Sequence, residues 1–288
     1  TESWAETLVS DRGIVIVSPA LADANNGNWR TASRWRRLLG RDRPVRITSA
    51  WPDGHESRDV VMFALHARRS AGSIAAWAER RGSRGLAVVL TGTDLYRDIA
   101  ADVQARRSLD LAAVLVVLNE RAPEALPAPV RQKAHVVLQS APARQPVAKP
   151  ASFLRAVMVG HLRDEKDPAT LLRAVMLVRD DPAIRIDHIG AGLDSALADA
   201  ARDTMRTSPG YRWLGALDHE TTRRRIQRAH VLVHASRMEG GAHVVIEAIR
   251  SGTPVIASRI DGNVGLLGPD YEGYFPVGDD AALAAALR

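Results

Sequence analysis

The sequence predicts an α/β protein of two doubly wound, Rossmann-like parallel sheets facing each other across a cleft. Three observations carry this prediction. Short β-branched runs alternate with helical patterns along the chain, the signature of a parallel sheet covered by helices on both faces. The alternation breaks once, at SAPARQPVAKPAS (140–152), which holds three prolines and no periodicity, and then restarts. The length of 288 residues exceeds one ordinary domain and suits two. The expected organisation is a first domain over 1–145, a linker over 146–152 and a second domain over 153–288.

Each element is read from its own letters. In the first half, GIVIVSPA (13–20), PVRITSA (44–50), DVVMFALHA (59–67), LAVVLTGTD (86–94), AAVLVVLNE (112–120) and AHVVLQSA (134–141) are expected strands. NWRTASRWRRLLG (28–40) and SAGSIAAWAERRG (70–82) are helices that close on glycine. In the second half the strands are AVMVGHL (156–162), IRIDHIG (184–190), YRWLGAL (211–217), HVLVHAS (230–236) and PVIASRI (254–260). PATLLRAVMLVRD, DSALADAARDTMR, HETTRRRIQRA and AHVVIEAIRSG are the helices between them, and DDAALAAALR (279–288) starts one more.

Composition narrows the function. Apolar residues make up 46%, too many for disorder. No apolar run reaches the ~18–20 residues of a membrane span. TESWAETLVSDRG is polar and mildly acidic, unlike a secretory leader, so a cytoplasmic location is expected. Cysteine is absent, which excludes disulfides, thiolate metal sites and a cysteine nucleophile. The net charge of +6 comes almost wholly from arginine, for Lys133, Lys149 and Lys166 are the only lysines. The arginines are scattered beside acids, without aromatic interleaving, so a small anionic substrate is expected rather than nucleic acid. No Asp-x-Asp pair occurs, and neither metal nor cofactor is expected. The oligomeric state stays open.

SRMEGGAHVVIEAIRSGTPVIAS (236–258) carries the most chemistry. Ser236 to Glu239 follow a strand, Gly240-Gly241 admit a ligand to the backbone, and a helix opens near Ala242 with unpaired N–H groups suited to phosphate. Glu239 before the helix and Glu247 inside it reach different parts of one ligand, and a carboxylate accepts both hydroxyls of a sugar diol. Taken alone, two solvated surface glutamates eight apart, a spacing common by chance, are the better description. In the first half, Asn25-Asn26-Gly27-Asn28 leads into a helix whose first turn holds Arg30 and Thr31. LTGTDLYRDI presents Thr91, Thr93, Asp94, Tyr96 and Arg97 at a strand end, and His66 closes another strand. A plain Asn/Gly turn and a structural histidine are the simpler alternatives.

S-x-x-E-G-x-x-x-V-x-x-E-A followed by GTPVIA resembles the nucleotide-contacting segment of retaining, family 4 GT-B glycosyltransferases. VGHLRDEKDPATLLRAV, IDHIGAG, WLGALDHETTRRRIQRAHVLVHAS and GNVGLLGPDYEGYFPVGDDAALAAAL fall in that family's order and spacing. The resemblance implies a GT-B fold with the donor bound by the second domain. It makes Lys166 the neutraliser of the donor diphosphate, Glu247 the ribose ligand and Glu239 the contact to the sugar. Gly190, Leu214, Gly240, Gly241, Ala242, His243 and Val244 become donor contacts. His161 stands where the family has arginine, and Arg163 is the candidate replacement. His66 resembles the first-domain histidine of related enzymes and joins Lys166 and Glu239 as a catalytic candidate.

NNGNWRTASRW, LTGTDLYRDI, EKDPATLLRA and SRMEGGAHVVIEA together resemble the selenosugar synthase (SenB) family of selenoneine biosynthesis. That resemblance implies transfer of N-acetylglucosaminyl from UDP-N-acetylglucosamine (UDP-GlcNAc) to selenophosphate, releasing UDP and phosphate. The acceptor contacts would be Asn26, Gly27, Asn28, Arg30, Thr31, Thr91, Thr93 and Asp94. Rival expectations are conventional transfer to a sugar, thiol or lipid, epimerisation of a UDP-sugar, and nucleic-acid binding.

Overall fold

The computed structural model of the chain describes residues 12–21 and 27–288. The alternation is realised as two parallel sheets of six strands each. By contact, one unit runs to Gln139 and takes in Glu239–Gly241; the other comprises Ser140–Met238 and Ala242–Arg288.

In the first unit the strands are β1 (Gly13–Val17), β2 (Val45–Thr48), β3 (Asp59–Leu65), β4 (Leu86–Leu90), β5 (Val114–Val117) and β6 (Ala134–Val136), in the order β2-β1-β3-β4-β5-β6. Both faces of this sheet are buried. Val15 and Val17 face one core with Met62, Val88 and Trp77, while Ile14 and Ile16 face another with Leu65, Val89 and Ala32. Successive strand residues point to opposite faces, so near-continuous apolar runs are what a doubly covered sheet requires. The covering helices are α1 (Gly27–Leu39), α2 (Ala71–Arg81) and α3 (Val103–Leu111). Helix α3 was not expected. Its buried face is Ala105, Ser108 and Leu109. The strand expected to reach 94 stops at Leu90, because Gly92 takes φ +138° and Asp94–Asp98 coil into a π turn.

In the second unit the strands are β7 (Leu154–Val159), β8 (Ile184–Ile189), β9 (Tyr211–Trp213), β10 (Val231–His234), β11 (Val255–Ser258) and β12 (Tyr274–Phe275), in the order β12-β11-β10-β7-β8-β9. The helices are α4 (Pro168–Val178), α5 (Ser195–Thr207), α6 (His219–Arg228), α7 (His243–Ile249), α8 (Asp261–Leu267) and α9 (Asp280–Leu287). Asp194, Asp218 and Asp279 cap α5, α6 and α9 by accepting N–H bonds from Leu197, Thr221 and Ala282. Helix α9 packs Leu283, Ala284 and Leu287 into the core that holds Leu171, Ala174 and Val175 of α4. Strand β12 and helix α8 went unread in the sequence: one has two residues, and the other contains Gly262, Asn263 and Gly265.

The proline-rich segment is extended backbone fixed to the second unit. Arg144 donates its N–H to Arg250 O (2.8 Å), Arg223 Nη2 reaches Pro142 O (2.7 Å) and Gln227 Nε2 reaches Gln145 O (2.7 Å).

Candidate functional site

All strands of the second sheet run parallel, so their carboxyl ends share one edge. Ligands of doubly wound sheets bind beyond that edge. Gly160 follows β7, Gly190 follows β8, Leu214 follows β9 and Ser236 lies beyond β10. Gly190 sits so close to its neighbour that a Cβ there would stand 2.0 Å from Gly160 O and 2.8 Å from His161 Cα. Trp213 Nε1 donates to Gly190 O (2.8 Å), and the His188 ring bridges Tyr211 Oη (3.0 Å) and Gly160 O (3.3 Å). Burial pushes the His188 pKa down to about 4, so this bridge is made by the neutral ring, with Nε2–H donating to Gly160.

The loop after β7 carries His161, Arg163 and Lys166. The stem of Lys166 runs across Gly160: a Cβ on that glycine would lie 3.4 Å from Lys166 Cγ. His161 Nδ1 accepts the Ala191 N–H (3.0 Å), which fixes Nε2 as the protonated nitrogen of the neutral ring. Burial, then the charges of Arg163 and Lys166, holds the His161 pKa below its usual value. Where the resemblance leads one to expect arginine, this chain therefore has an uncharged N–H donor. Arg163 is partly exposed, with Nε 3.9 Å from Glu165 Oε2.

Helix α7 is seven residues long, shorter than expected, and no side chain caps Ala242. Val245 and Ile246 return their N–H groups to Ala242 O (3.0 and 3.3 Å). His243 and Val244 are half-buried, and Glu247 is buried. Glu247 Oε1 lies 2.6 Å from His219 Nε2 and 4.0 Å from Arg223 Nε. His219 and Arg223 were not foreseen. Their signal is four-residue spacing on one helix, which aligns both side chains on one face of α6. Burial lowers the Arg223 pKa, opposed by the charge of Glu247.

Glu239–Gly241 group by contact with the first unit. There Asn119 Nδ2 donates to Gly240 O (2.7 Å), and a Cβ on Gly240 would stand 2.5 Å from Thr91 O. Glycine at this position is thus demanded by close packing. A Cβ on Gly241 would meet Leu118 Cβ at 2.6 Å. Glu239 is half-buried.

Among the first-half candidates, Asn26, like Asn25, lies outside the described residues. Gly27 begins α1, and Asn28 and Arg30 are half-buried on its first turn. Thr31 is 2% exposed; its hydroxyl donates to Gly27 O (3.0 Å) and accepts from Gln139 Nε2 (2.7 Å). Asp94 is fully buried and accepts N–H bonds from Thr91, Gly92 and Ala67, each at 2.9 Å. Thr31 ties the first turn of α1 to Gln139, and Asp94 braces the loop that carries Thr93, so their polar groups are committed to the fold. His66 is buried with φ +74°, a backbone conformation unusual outside glycine. Its Nδ1 accepts the Arg69 N–H (3.3 Å), so Nε2–H is left to donate to Thr93 Oγ1 (3.1 Å). Burial holds the His66 pKa down, against the opposing charges of Asp94 and Asp98. Asp98, 3.8 Å from His66 Nε2, lines a cavity of about 390 Å³ together with Arg68, Arg97, Ala101 and Asp102. Among the described residues no group of three or more His, Asp or Glu side chains is arranged to hold a metal ion.

Solved structures share this architecture at low identity. Sucrose-phosphate synthase from Thermosynechococcus elongatus superposes with a TM-score of 0.76 at 18% identity, over 96% of this chain and 88% of that one. Anabaena HepE in complex with UDP gives 0.70 at 14%, over 96% and 88%. Staphylococcus aureus TarM, in complex with Fondaparinux, α-GlcNAc-glycerol and UDP, gives 0.60 at 16% over 80% of this chain, which spans only 48% of TarM. At such identities the likeness is one of fold. Sequence goes further: the family model described as "Glycosyl transferases group 1" matches residues 140–288, more than half of the chain. The chain belongs to the group 1 glycosyl transferases.

Proposed function

We propose that the chain transfers N-acetylglucosaminyl from UDP-GlcNAc to selenophosphate. The observation that carries the donor half is the loop after β7, where Lys166 lies across Gly160 beside the neutral N–H donor of His161. Departure of UDP puts negative charge on a diphosphate oxygen, and a fixed ammonium with an N–H donor stabilises charge that develops there. Glu247, oriented by His219, accepts the ribose hydroxyls, and Glu239 those of the sugar. TarM, solved with UDP and a GlcNAc-bearing compound, supports this choice of donor.

The acceptor half rests on the first-half motifs. Selenium of selenophosphate attacks C1 of the sugar, the C1–Se bond forms, and the C1–O bond to UDP breaks. Water then attacks phosphorus, the P–O bond forms and the P–Se bond breaks, and a proton from water passes to selenium or to solvent, giving the selenosugar and phosphate. The nucleophile is already anionic, so the step needs no general base. Asn28, Arg30, Thr91 and Thr93 supply donors for the anion, and His66 fixes the Thr93 hydroxyl. Conventional transfer to a sugar, thiol or lipid is the competing outcome.

The test is an anaerobic reaction with UDP-GlcNAc, offering selenophosphate and thiophosphate in competition and sugar and thiol acceptors in parallel. Equimolar UDP, phosphate and a selenosugar of the expected mass support the proposal. UDP release only with the other acceptors overturns the selenium step and leaves a conventional transferase.

A further inference from the structure

The residues flanking Lys166 are tied to a second loop, the one after β10, through Arg237. Asp164–Lys166 form one 3₁₀ turn, closed by the Lys166 N–H to Arg163 O (3.0 Å) and the Asp167 N–H to Asp164 O (3.0 Å). Asp167 then takes the left-handed conformation, φ +46° and ψ 53°, before α4 begins. A non-glycine residue there costs ~1–2 kcal/mol and persists only when its surroundings fix it. They do: Asp167 is 1% exposed and its Oδ2 accepts from Thr170 Oγ1 (2.7 Å).

The other anchor comes from the loop after β10. Arg237 donates its backbone N–H to Glu165 O (2.9 Å), its Nη2 to Asp167 Oδ1 (3.3 Å), and sets Nη1 3.2 Å from Asp164 Oδ1. The hydrogen bond to Asp167 raises the Arg237 pKa. Both neighbours of Lys166 in sequence, Glu165 and Asp167, are therefore bound by one arginine.

We propose that Arg237 is a positioning residue, acting through Asp167 to hold Lys166 where it meets the donor diphosphate. The inference rests on the donor-site reading above. Without the guanidinium strap the lysine turn keeps its own short hydrogen bonds and the Arg237 N–H to Glu165 O, but loses the charged contacts that tie Asp164 and Asp167 to the β10 loop. The ammonium then samples more positions and binds a diphosphate less well.

The test is calorimetric titration of UDP and UMP into the wild type, Lys166→Ala, Asp167→Asn, Arg237→Ala and the two double variants with Lys166→Ala. Asp167→Asn is the informative change: the side chain is too buried to touch a ligand, and asparagine tolerates the left-handed conformation. UDP affinity is expected to fall about tenfold in Asp167→Asn and Arg237→Ala, on the scale of one charge-assisted hydrogen bond. UMP affinity should change less. In the Lys166→Ala background neither change should weaken UDP further. Equal losses with and without Lys166 overturn the strap, as does an undiminished UDP affinity in Asp167→Asn. If Arg237→Ala fails to fold, Asp167→Asn decides alone. UDP binding that ignores Lys166→Ala overturns the donor-site reading itself, a result distinguishable from failure of the strap.

Discussion

Replacing Gly190 by alanine isolates the packing that shapes the donor edge. The added methyl would sit 2.0 Å from Gly160 O, where ordinary contact begins near 3.4 Å, so 3.4 − 2.0 leaves 1.4 Å of overlap against backbone. Relief requires the loops after β7 and β8 to separate, and overpacking of this kind costs ~1–3 kcal/mol. The backbone at φ +157° adds roughly 1–3 kcal/mol for a residue with a Cβ. A total of about 2–6 kcal/mol corresponds to a drop in Tm of roughly 4–24 °C for a unit of this size. Gly215→Ala is the control, since Gly215 has φ +69° but nothing within 4 Å of its would-be Cβ. It should lose only ~1–2 kcal/mol. Differential scanning calorimetry of both variants reads the difference. Where Gly190→Ala stays folded, UDP affinity should also fall if the proposed donor site lies at this edge, because the loop that carries His161 and Lys166 would be displaced. A Gly190→Ala variant no less stable than Gly215→Ala would refute the close approach of the two loops.

Two further expectations concern buried titratable groups. The His188 pKa is depressed to about 4 from an ordinary 6.5, so its contribution to stability is whole above pH 6.5 and lost as pH falls toward 4. That loss amounts to ~3 kcal/mol, and the depressed pKa values of His161 and His66 add in the same direction. Urea unfolding at pH 7, 5.5 and 4.5 should show the decline, and His188→Gln should flatten it; an unchanged slope contradicts the assignment. Glu247→Gln tests the ribose contact. The wild type should prefer UDP over 2′-deoxy-UDP by about tenfold or more, on the scale of a charge-assisted hydrogen bond, and the variant should lose most of that preference. Equal discrimination in both proteins would remove Glu247 from the ribose site.

The fold was legible where burial leaves a periodic trace. The eleven expected strands were all found because a sheet covered on both faces leaves apolar, β-branched runs. Helix α3 went unread, and strand β12 is only two residues long. In the candidate site, the family resemblance offered Lys166 and Glu247 but not the side chains packed around them. His219 and Arg237 act across 28 and 70 residues of sequence, and no local pattern encodes such pairings. Nor did the sequence distinguish polar groups that the fold consumes, as with Thr31 and Asp94, from those left to a ligand.

The central claim is that the second unit binds the diphosphate of a nucleotide sugar through Lys166. Calorimetric titration of UDP into the wild type and Lys166→Ala tests it most directly. The account predicts saturable 1:1 binding by the wild type, weakened by about tenfold or more in the variant, the scale of one charge-assisted hydrogen bond to phosphate. Absence of UDP binding by the folded wild type, or equal affinity in the two proteins, would contradict it.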